Sequence, residues 1–301
     1  MCEWHEQCDN KHVADVPVVT SSHVGNLPID EIDAACTSSL AALQEMKMLG
    51  SSYAIPLLQY GLSVYNLDTD LLIKFRPDII LTCRQTAHSA MLDGNLCDVA
   101  LQSILGYLPK VVHCETNNMG DVWQNMLDIS SALGLADVGV KLVDNQKKSM
   151  SQLSIISSGR ARPSVCCIQW TRPLMAGSAW VPELVSMSGG RDVCGRVEEA
   201  VMLSEEALLK ASPDVIIFAL CGIKLSVAVK VAQNVLKKSL QTLRRNSPAG
   251  VTKRIAAVDG NRILSRPGPW LNESLECLIE ILHPEAQRFG HEDKNWQWIP
   301  M

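Results

Sequence analysis

The sequence predicts an α/β protein with two lobes, each built on a mainly parallel sheet, and a long α-helix that joins them. Three observations carry this prediction: continuous apolar runs that begin with proline, an amphipathic segment before two of those runs, and a long helix-forming stretch between the lobes. A ligand cleft is expected between the two lobes.

Three apolar, β-branched runs have the character of buried strands. They span residues 77–82, 163–168 and 213–219, and each begins with a proline. Apolar character that is continuous rather than alternating is typical of parallel strands buried on both faces. Two of the runs begin with Pro-Asp and follow segments, 68–75 and 197–211, that we predict to be helical. This approximate repeat of a βα unit predicts two similar, Rossmann-like lobes.

The segment between the lobes is periodic and helix-forming. Residues 119–133 place Val122, Met126, Ile129 and Leu133 on one face, and residues 137–156 continue the helix after a break near Gly134. A flexible Gly/Ser-rich composition is absent, so the lobes are expected to keep a nearly fixed relation. The predicted organisation is an N-terminal lobe, a connecting helical region, a C-terminal lobe and a tail, at residues 1–117, 118–158, 159–288 and 289–301.

Length, composition and charge describe an ordinary globular protein. The 301 residues are 47% hydrophobic and 20% charged, and the formal net charge is −5. Lysines and arginines are scattered, which argues against nucleic acid or an anionic membrane as the main partner. No apolar run approaches the roughly 18–20 residues that span a bilayer, so membrane insertion is not expected.

The N-terminus and the cysteines favour a cytoplasmic location. The opening segment is polar from its third position and contains no apolar stretch resembling an export signal. The eleven cysteines form no CxxC pair and fall mostly in apolar runs, as expected for buried thiols in a reducing compartment. Zinc is the alternative, bound by His5, Cys8 and His12 or by His113 with Cys114, but neither spacing matches a closed zinc site. We therefore predict no intrinsic metal site or cofactor.

Residues that could hold a ligand follow the predicted strands, where parallel sheets place their binding loops. They lie at 83–89 after the first Pro-Asp strand, at 169–183 after the central strand and at 221–224 after the second Pro-Asp strand. The middle stretch contains Trp170 and Trp180, although the whole chain has only seven tryptophans. Aromatic rings beside small residues and prolines form flat walls that suit a large planar or macrocyclic ligand.

The most informative stretch of the chain is 254–285. It predicts, in order, a strand, a turn, a second strand, a stiff loop and a helix, with the first four at 255–258, 259–261, 262–264 and 265–270. The loop places Arg266 and Trp270 on a backbone restrained by two prolines, which indicates rigid presentation of both side chains.

Several of these residues also have a purely structural interpretation. Trp170 and Trp180 could simply pack over strand ends, and Arg266 could bridge carboxylates. His88 could be a hydrogen-bonded loop histidine rather than a metal ligand. The sequence leaves these alternatives open.

Catalytic signatures are absent from the sequence. It contains no GxSxG, HExxH, Walker or GxGxxG motif. The segment 188–192 is better interpreted as the C-cap of a helix at 182–187 than as a phosphate cradle. Glu183 and Asp192 have no second acid at a useful spacing. We predict no catalytic residue, and a binding protein is favoured over an enzyme.

Several motifs occur in an order that resembles a known family. They are DVPVVT at 15–20, RPDIILT at 76–82, Trp170 through VPEL at 181–184 with a Gly-Gly pair at 189–190, PDVI at 213–216, VDGN at 258–261, SRPGP at 265–269 and ILHPE at 281–285. In this order the chain resembles the corrinoid and siderophore branch of the periplasmic-binding-protein family, the solute-binding components of cobalamin and iron-chelate ABC importers. The resemblance covers most of residues 8–286.

The resemblance implies a ligand site in the cleft, lined by loops of both lobes. The implied ligand is cobalamin or a related metal chelate, such as another corrinoid, a heme or a siderophore complex. The residues implied in the second lobe are Trp170, Trp180, Cys221, Gly222, Arg266 and Trp270, and those in the first lobe are Thr20, Ser22, Arg84, Gln85 and His88.

The chain departs from the resembled family in three places, one of which is the lack of an apolar stretch resembling an export signal, so capture of solutes for a surface importer is not expected. Relatives open with a strand and a helix before the region that matches residues 6–9, so the first lobe is expected to lack its leading strand. Relatives also often carry two cysteines after the first Pro-Asp strand, where Thr86 and Ser89 stand here. This difference argues against thiol-based metal chemistry in that loop.

Three functions are compatible with the sequence. The leading hypothesis is non-enzymatic binding of a corrinoid or another large metal chelate, inside the cell, as a carrier or sensor that could have a transporter or chaperone partner. The second is an enzyme that uses the same cleft for hydrolysis or metal handling, with only His88 and Glu183 as candidate residues. The third is an interaction module without a ligand.

Overall fold

The computed structural model describes residues 4–5, 17–22, 65–84, 94–197, 201–235 and 254–300. The chain divides into two compact units, Met1–Glu115 and Thr116–Met301. Both units combine strands with helices, so the predicted α/β class is confirmed.

Among the residues of the first unit that the structure describes, the strands form two small sheets. In one sheet, β1 (Trp4–His5) runs parallel to β2 (Val18–Ser22), and β2 pairs antiparallel with β3 (Tyr65–Leu67). In the other sheet, β4 (Ile79–Arg84) and β5 (Lys110–Glu115) are parallel. The run at 77–82 is therefore a strand, as predicted.

Two helices accompany these strands. α1 (Thr69–Phe75) begins after Asp68, whose carboxylate accepts a hydrogen bond from the backbone nitrogen of Leu71 at 2.8 Å. α2 (Gly94–Leu105) contributes most of the small core of this unit. The buried members of that core are Leu72, Ala100, Leu101 and Leu105.

The second unit opens with a helical pair. α3 (Met119–Ala132) ends just before Gly134, whose φ of +73° is the left-handed conformation that commonly terminates helices. α4 (Ala136–Ile156) follows and, at 21 residues, is the long helix that the sequence predicts. Leu133 was expected on the buried face of the first helix, but it is exposed because the helix ends before it.

The sheet of the second unit has a parallel centre and antiparallel edges. Its central strands are β6 (Ser164–Thr171), β10 (Val215–Phe218) and β11 (Arg254–Val258). The other strands are β7 (Leu174–Ala176), β8 (Arg191–Asp192), β9 (Val201–Met202) and β12 (Trp296–Trp298). The strand order is β12-β11-β10-β6-β7-β9, and β8 pairs with β6.

In the described part of the second unit, four further helices pack against the sheet: α5 (Val181–Met187), α6 (Glu205–Ala211), α7 (Leu225–Val235) and α8 (Leu271–Leu282). One core cluster joins one face of the sheet to α3, α4, α5 and α8, and a second joins the other face to α6 and α7. Adjacent residues of β6 divide between them, since Cys167 lies in the first cluster and Cys166 in the second. Burial on both faces explains the continuous apolar character of these strands.

Some predicted elements differ from the structure, two of them outside the candidate site. The helix expected at 197–211 exists only from Glu205, where the Ser204 hydroxyl caps it by accepting a hydrogen bond from the nitrogen of Ala207. Upstream of that cap, β9 pairs with β7, so strand pairing overrides helical periodicity there.

The second difference concerns residues 289–301, which were expected to form a tail. Part of this segment forms β12, which pairs antiparallel with β11, and Trp296 lies in the core. The buried carboxylate of Glu280 accepts hydrogen bonds from the Trp296 indole nitrogen at 2.7 Å and from the backbone nitrogens of Phe289 and Gly290. Desolvation raises the pKa of Glu280, but these donors outweigh it and hold the pKa below its usual value.

The predicted helix C-cap at 188–192 is confirmed. α5 ends at Ser188, Gly189 has a φ of +80°, and the nitrogen of Gly190 donates to the carbonyl oxygen of Val185 at 2.9 Å. Among the helices that the structure describes, no helix combines the length and apolar character needed to cross a membrane.

Candidate functional site

The best-defined candidate site of the second unit is a pair of turns at the carboxyl ends of β10 and β11, residues 220–223 and 259–270, which we call the turn cluster. The nitrogen of Gly222 donates to the carbonyl oxygen of Gly260 at 3.0 Å, and the nitrogen of Gly260 donates to that of Ile223 at 2.9 Å. These reciprocal bonds fix one turn against the other. Carboxyl ends of parallel strands are where α/β folds place their ligands.

Glycine is required at both points of this contact. A Cβ atom at Gly260 would lie 1.8 Å from the carbonyl oxygen of Leu220, which is backbone and cannot move aside cheaply. Gly222 has a φ of +73°, a conformation that other residues adopt only with strain. The turn cluster therefore depends on an approach of two backbones that side chains would prevent.

The second strand predicted at 262–264 is not formed. The nitrogens of Arg262 and Ile263 donate back to the carbonyl oxygen of Asp259 at 3.1 and 2.7 Å, so the chain coils into a turn. Leu264 then adopts a φ of +66°, and its nitrogen donates to the Ser274 hydroxyl at 3.1 Å. The loop at 265–270 is thereby anchored to α8 rather than extended from a hairpin.

Trp270 stands at the end of this loop and is 45% exposed. The guanidinium carbon of Arg262 lies 5.0 Å from the centre of its ring, within the range of a cation–π contact. Glu273 accepts two hydrogen bonds from that guanidinium, at 2.6 and 3.0 Å. Because the bidentate pair fixes the guanidinium plane, it also orients the indole.

Arg262 and Glu273 were not predicted as site residues from the sequence. Arg262 lay inside a predicted strand, where its contact with a residue of the following helix was not visible. The one local sequence signal for this contact was the spacing of Trp270 and Glu273, three residues apart.

Arg266 and Cys221 are neighbours in the turn cluster. Cys221 is exposed as a residue, but nearby protein atoms desolvate its thiol and raise the pKa of that thiol. A hydrogen bond with Ser265 and the charge of Arg266 act in the opposite direction. The Arg266 guanidinium also lies 3.5 Å from the side-chain oxygen of Asn261. The structure thus brings together Cys221, Gly222 and Arg266, with Trp270 on the same loop as Arg266.

The two tryptophans at 169–183 do not form one wall. Trp170 belongs to β6 and is half-buried, and its indole nitrogen donates to the carbonyl oxygen of Arg172 at 3.1 Å. Between the two tryptophans, β6 and β7 form an antiparallel hairpin rather than a loop.

Trp180 corrects the expectation of a ligand-facing ring. It is 3% exposed and lies in the core, because it immediately precedes α5, whose residues Val181, Leu184 and Val185 are all buried. The sequence left open whether Trp180 faces a ligand or only packs against the protein, and the structure supports packing.

The predicted residues of the first unit are only partly described. Thr20 and Ser22 lie on β2, and Arg84 ends β4 opposite Glu115. Gln85 and His88 lie outside the described residues. These five residues therefore stay predictions.

The first unit also contains a polar network near the carboxyl ends of β4 and β5. The Thr82 hydroxyl is 2.9 Å from Nδ1 of His113, and Nε2 of His113 is 3.2 Å from the Asp98 carboxylate. Within the described ranges, no group of three or more His, Cys, Asp or Glu side chains is placed to hold a metal ion.

Glu183, one of two residues considered for an enzymatic role, has a structural partner. Its carboxylate accepts a hydrogen bond at 2.6 Å from the backbone nitrogen of Met119, the first residue of α3. A carboxylate at a helix N-terminus stabilises the helix, and this contact accounts for Glu183 without chemistry.

No protein-family model and no curated protein matches the chain. Solved structures do match. A periplasmic heme-binding protein from Pseudomonas aeruginosa has a TM-score of 0.60 at 15% identity, covering 78% of this chain and 82% of its own. An ABC transporter substrate-binding protein from Listeria monocytogenes has a TM-score of 0.58 at 14% identity, covering 73% and 81%.

A periplasmic vitamin B12 binding protein from Vibrio cholerae also matches, with a TM-score of 0.50 at 16% identity, covering 72% of this chain and 78% of its own. All three relatives are named as binding proteins. The identities are low, so the likeness concerns the fold. The chain has the α/β fold of the periplasmic solute-binding proteins of ABC importers.

Proposed function

We propose that this protein binds a large, planar metal chelate of the corrinoid or porphyrin type at the turn cluster. The observation that carries the proposal is Trp270, a half-exposed indole held in one orientation by Arg262 and Glu273. An aromatic ring that is already oriented loses little conformational freedom on binding, so its contact area contributes efficiently to affinity.

Charge in the turn cluster suits the same ligand class. Arg266 supplies a permanent positive charge beside Cys221, on the loop that ends at Trp270. Porphyrins carry carboxylates and cobalamin carries a phosphodiester, so either ligand offers an anionic group to this guanidinium. The names of the structural relatives, which mention heme and vitamin B12, support the ligand class without choosing between the two.

Absorbance titration with three chelates tests the proposal. Purified full-length protein is titrated separately with hydroxocobalamin, hemin and a ferric hydroxamate siderophore, and calorimetry measures each affinity. We expect saturable one-to-one binding of hydroxocobalamin or hemin that weakens in Arg266→Ala. Absence of binding by all three up to high micromolar concentration would reject the proposal, and binding of the siderophore alone would reject a planar ligand.

We further propose a carrier or sensor role inside the cell. Cell fractionation tests the location: recovery with cytoplasmic markers supports the proposal, and recovery with secreted or periplasmic markers contradicts it. A transporter or chaperone partner is a separate prediction, tested by crosslinking in cells followed by mass spectrometry.

A further inference from the structure

Two cysteines of the second unit lie together in a place that the candidate ligand site does not use. Cys166 lies on β6, and Cys194 follows β8, which pairs with β6 in parallel. Both belong to the same core cluster, whereas the adjacent Cys167 belongs to the cluster on the opposite face of the sheet. Cys166 and Cys194 therefore share a face, and Cys167 is excluded from it.

A tight turn places Cys194 against Cys166. The Asp192 carboxylate accepts hydrogen bonds from the nitrogens of Cys194 at 2.9 Å and Gly195 at 2.6 Å. Just before the turn, the nitrogen of Val193 donates to the carbonyl oxygen of Val165 at 2.9 Å. The strand contact and the Asp192 turn together fix the position of the Cys194 backbone.

The two thiols influence each other, and their pKa values shift in opposite directions. The hydrogen bond from Cys166 lowers the pKa of Cys194 against the opposing effects of burial and of Asp192, and it raises the pKa of Cys166. Cys166 is fully buried, whereas 8% of Cys194 is exposed. Cys194 is thus the more accessible residue of the pair, and the directions of the two shifts favour its thiolate over that of Cys166.

We propose that Cys166 and Cys194 form a redox-active dithiol that closes to a disulfide on reaction with a peroxide. The Cys194 thiol gives up its proton, and the thiolate attacks one peroxide oxygen to form a sulfenic acid. The other oxygen leaves as hydroxide, which takes up that proton and becomes water. The Cys166 sulfur then attacks the Cys194 sulfur, its proton and the sulfenic hydroxyl leave as a second water, and the S–S bond forms. Two thiols are oxidised and one peroxide is reduced to two waters.

Closure of this bond would join the segment after β8 covalently to the central strand β6. Arg196 in that segment forms a β-bridge with Ser178, which precedes Trp180 and α5 by two and three residues. Oxidation would therefore stabilise the packing of 191–197 against the start of α5. The inference is independent of ligand binding at the turn cluster.

Differential alkylation of the full-length protein tests the inference. Hydrogen peroxide is added, free thiols are blocked with N-ethylmaleimide, and tryptic peptides are analysed by mass spectrometry. Cys194 is released in the short peptide 192–196, while Cys166 and Cys167 share one larger peptide. We expect a dithiothreitol-sensitive crosslink between these peptides that is lost in Cys194→Ser and in Cys166→Ser and retained in the matched control Cys167→Ser.

Fragmentation of the wild-type crosslink keeps the test decisive even if a variant fails to fold. Ions that break the chain between Cys166 and Cys167 show which of the two carries the bond. A link through Cys166 supports the inference. A link through Cys167, or oxidation of Cys194 to a sulfinic acid with no crosslink, would overturn it.

Discussion

The guanidinium carbon of Arg262 lies 5.0 Å from the centre of the Trp270 ring, and the same guanidinium makes two hydrogen bonds with Glu273. A surface tryptophan would otherwise sample several rotamers. Here it is oriented before any ligand arrives, and its exposed area is available for contact. This relationship connects the local structure of the loop to the proposed binding of a planar ligand.

A double-mutant cycle of Arg262→Gln and Trp270→Leu should show coupling. Each change removes the cation–π contact, so we expect an interaction energy of about 0.5–1 kcal/mol in the free energy of unfolding from denaturant titration. The pair Lys147 and Trp123 provides the comparison, because its distance of 5.8 Å is longer, and it should couple more weakly. Strictly additive effects at Arg262 and Trp270 would contradict the orientation argument.

Gly260→Ala should destabilise the protein by about 3 kcal/mol or more, because the added Cβ would collide with the Leu220 carbonyl. Gly134→Ala is the matched control. Gly134 has a φ of +73°, unlike Gly260, and its Cβ would meet no atom within 4 Å, so only backbone strain of about 1–2 kcal/mol is expected. Equal losses in thermal or denaturant unfolding would show that the two turns are not in close contact.

Glu280→Gln should destabilise the protein by about 2–4 kcal/mol at neutral pH, because the amide keeps only one acceptor oxygen and turns its NH2 group toward N–H donors that the carboxylate now accepts. The folded pKa of Glu280 is lowered, so its contribution is complete above the usual glutamate value of 4.5 and is lost as the pH falls through the folded pKa. Unfolding titrations across this acid range should show the loss in the wild type and not in the variant.

The control for Glu280 is Glu292→Gln. Glu292 pairs with the exposed Arg288 at 3.3 Å, and such surface pairs contribute little, so a change below about 1 kcal/mol is expected. A loss at Glu292 as large as that at Glu280 would contradict the proposed role of the buried carboxylate.

Trp180 and Trp270 should separate by phenotype. Trp180→Ala removes a core side chain and should cost about 3–5 kcal/mol of stability. Trp270→Ala removes a half-exposed ring, and its cost in stability should be much smaller. A Trp180→Ala variant with unchanged thermal stability would contradict its placement in the core.

Elements with strong local signals were predictable from the sequence. The proline-led runs became β4, β6 and β10. In β6 and β10 the continuous apolar sequence reflects burial on both faces, whereas Leu81 of β4 is half exposed. The break near Gly134 was visible because glycine readily ends a helix. By contrast, β12 lies far along the chain from β11, and only its pairing with β11 makes it a strand.

The candidate site was predictable as a position rather than as a set of contacts. Strand ends identified Cys221, Gly222, Arg266 and Trp270 because parallel sheets place ligands there. The ion pair of Arg262 and Glu273 could not be predicted from the sequence, because it depends on a turn that replaces the expected second strand. Trp180 was misassigned because an aromatic residue at a strand end has the same sequence pattern whether it faces the core or solvent.

The most direct test of the account compares the affinity of Trp270→Ala with that of Trp123→Ala for the chelate that the wild type binds. Trp123 is a tryptophan of the same unit that also lies under a cation but belongs to α3, outside the turn cluster. Calorimetric titration should show at least a roughly tenfold loss of affinity for Trp270→Ala, equivalent to about 1.4 kcal/mol, and little change for Trp123→Ala. Equal affinities of Trp270→Ala and the wild type would contradict the claim that the turn cluster holds the ligand.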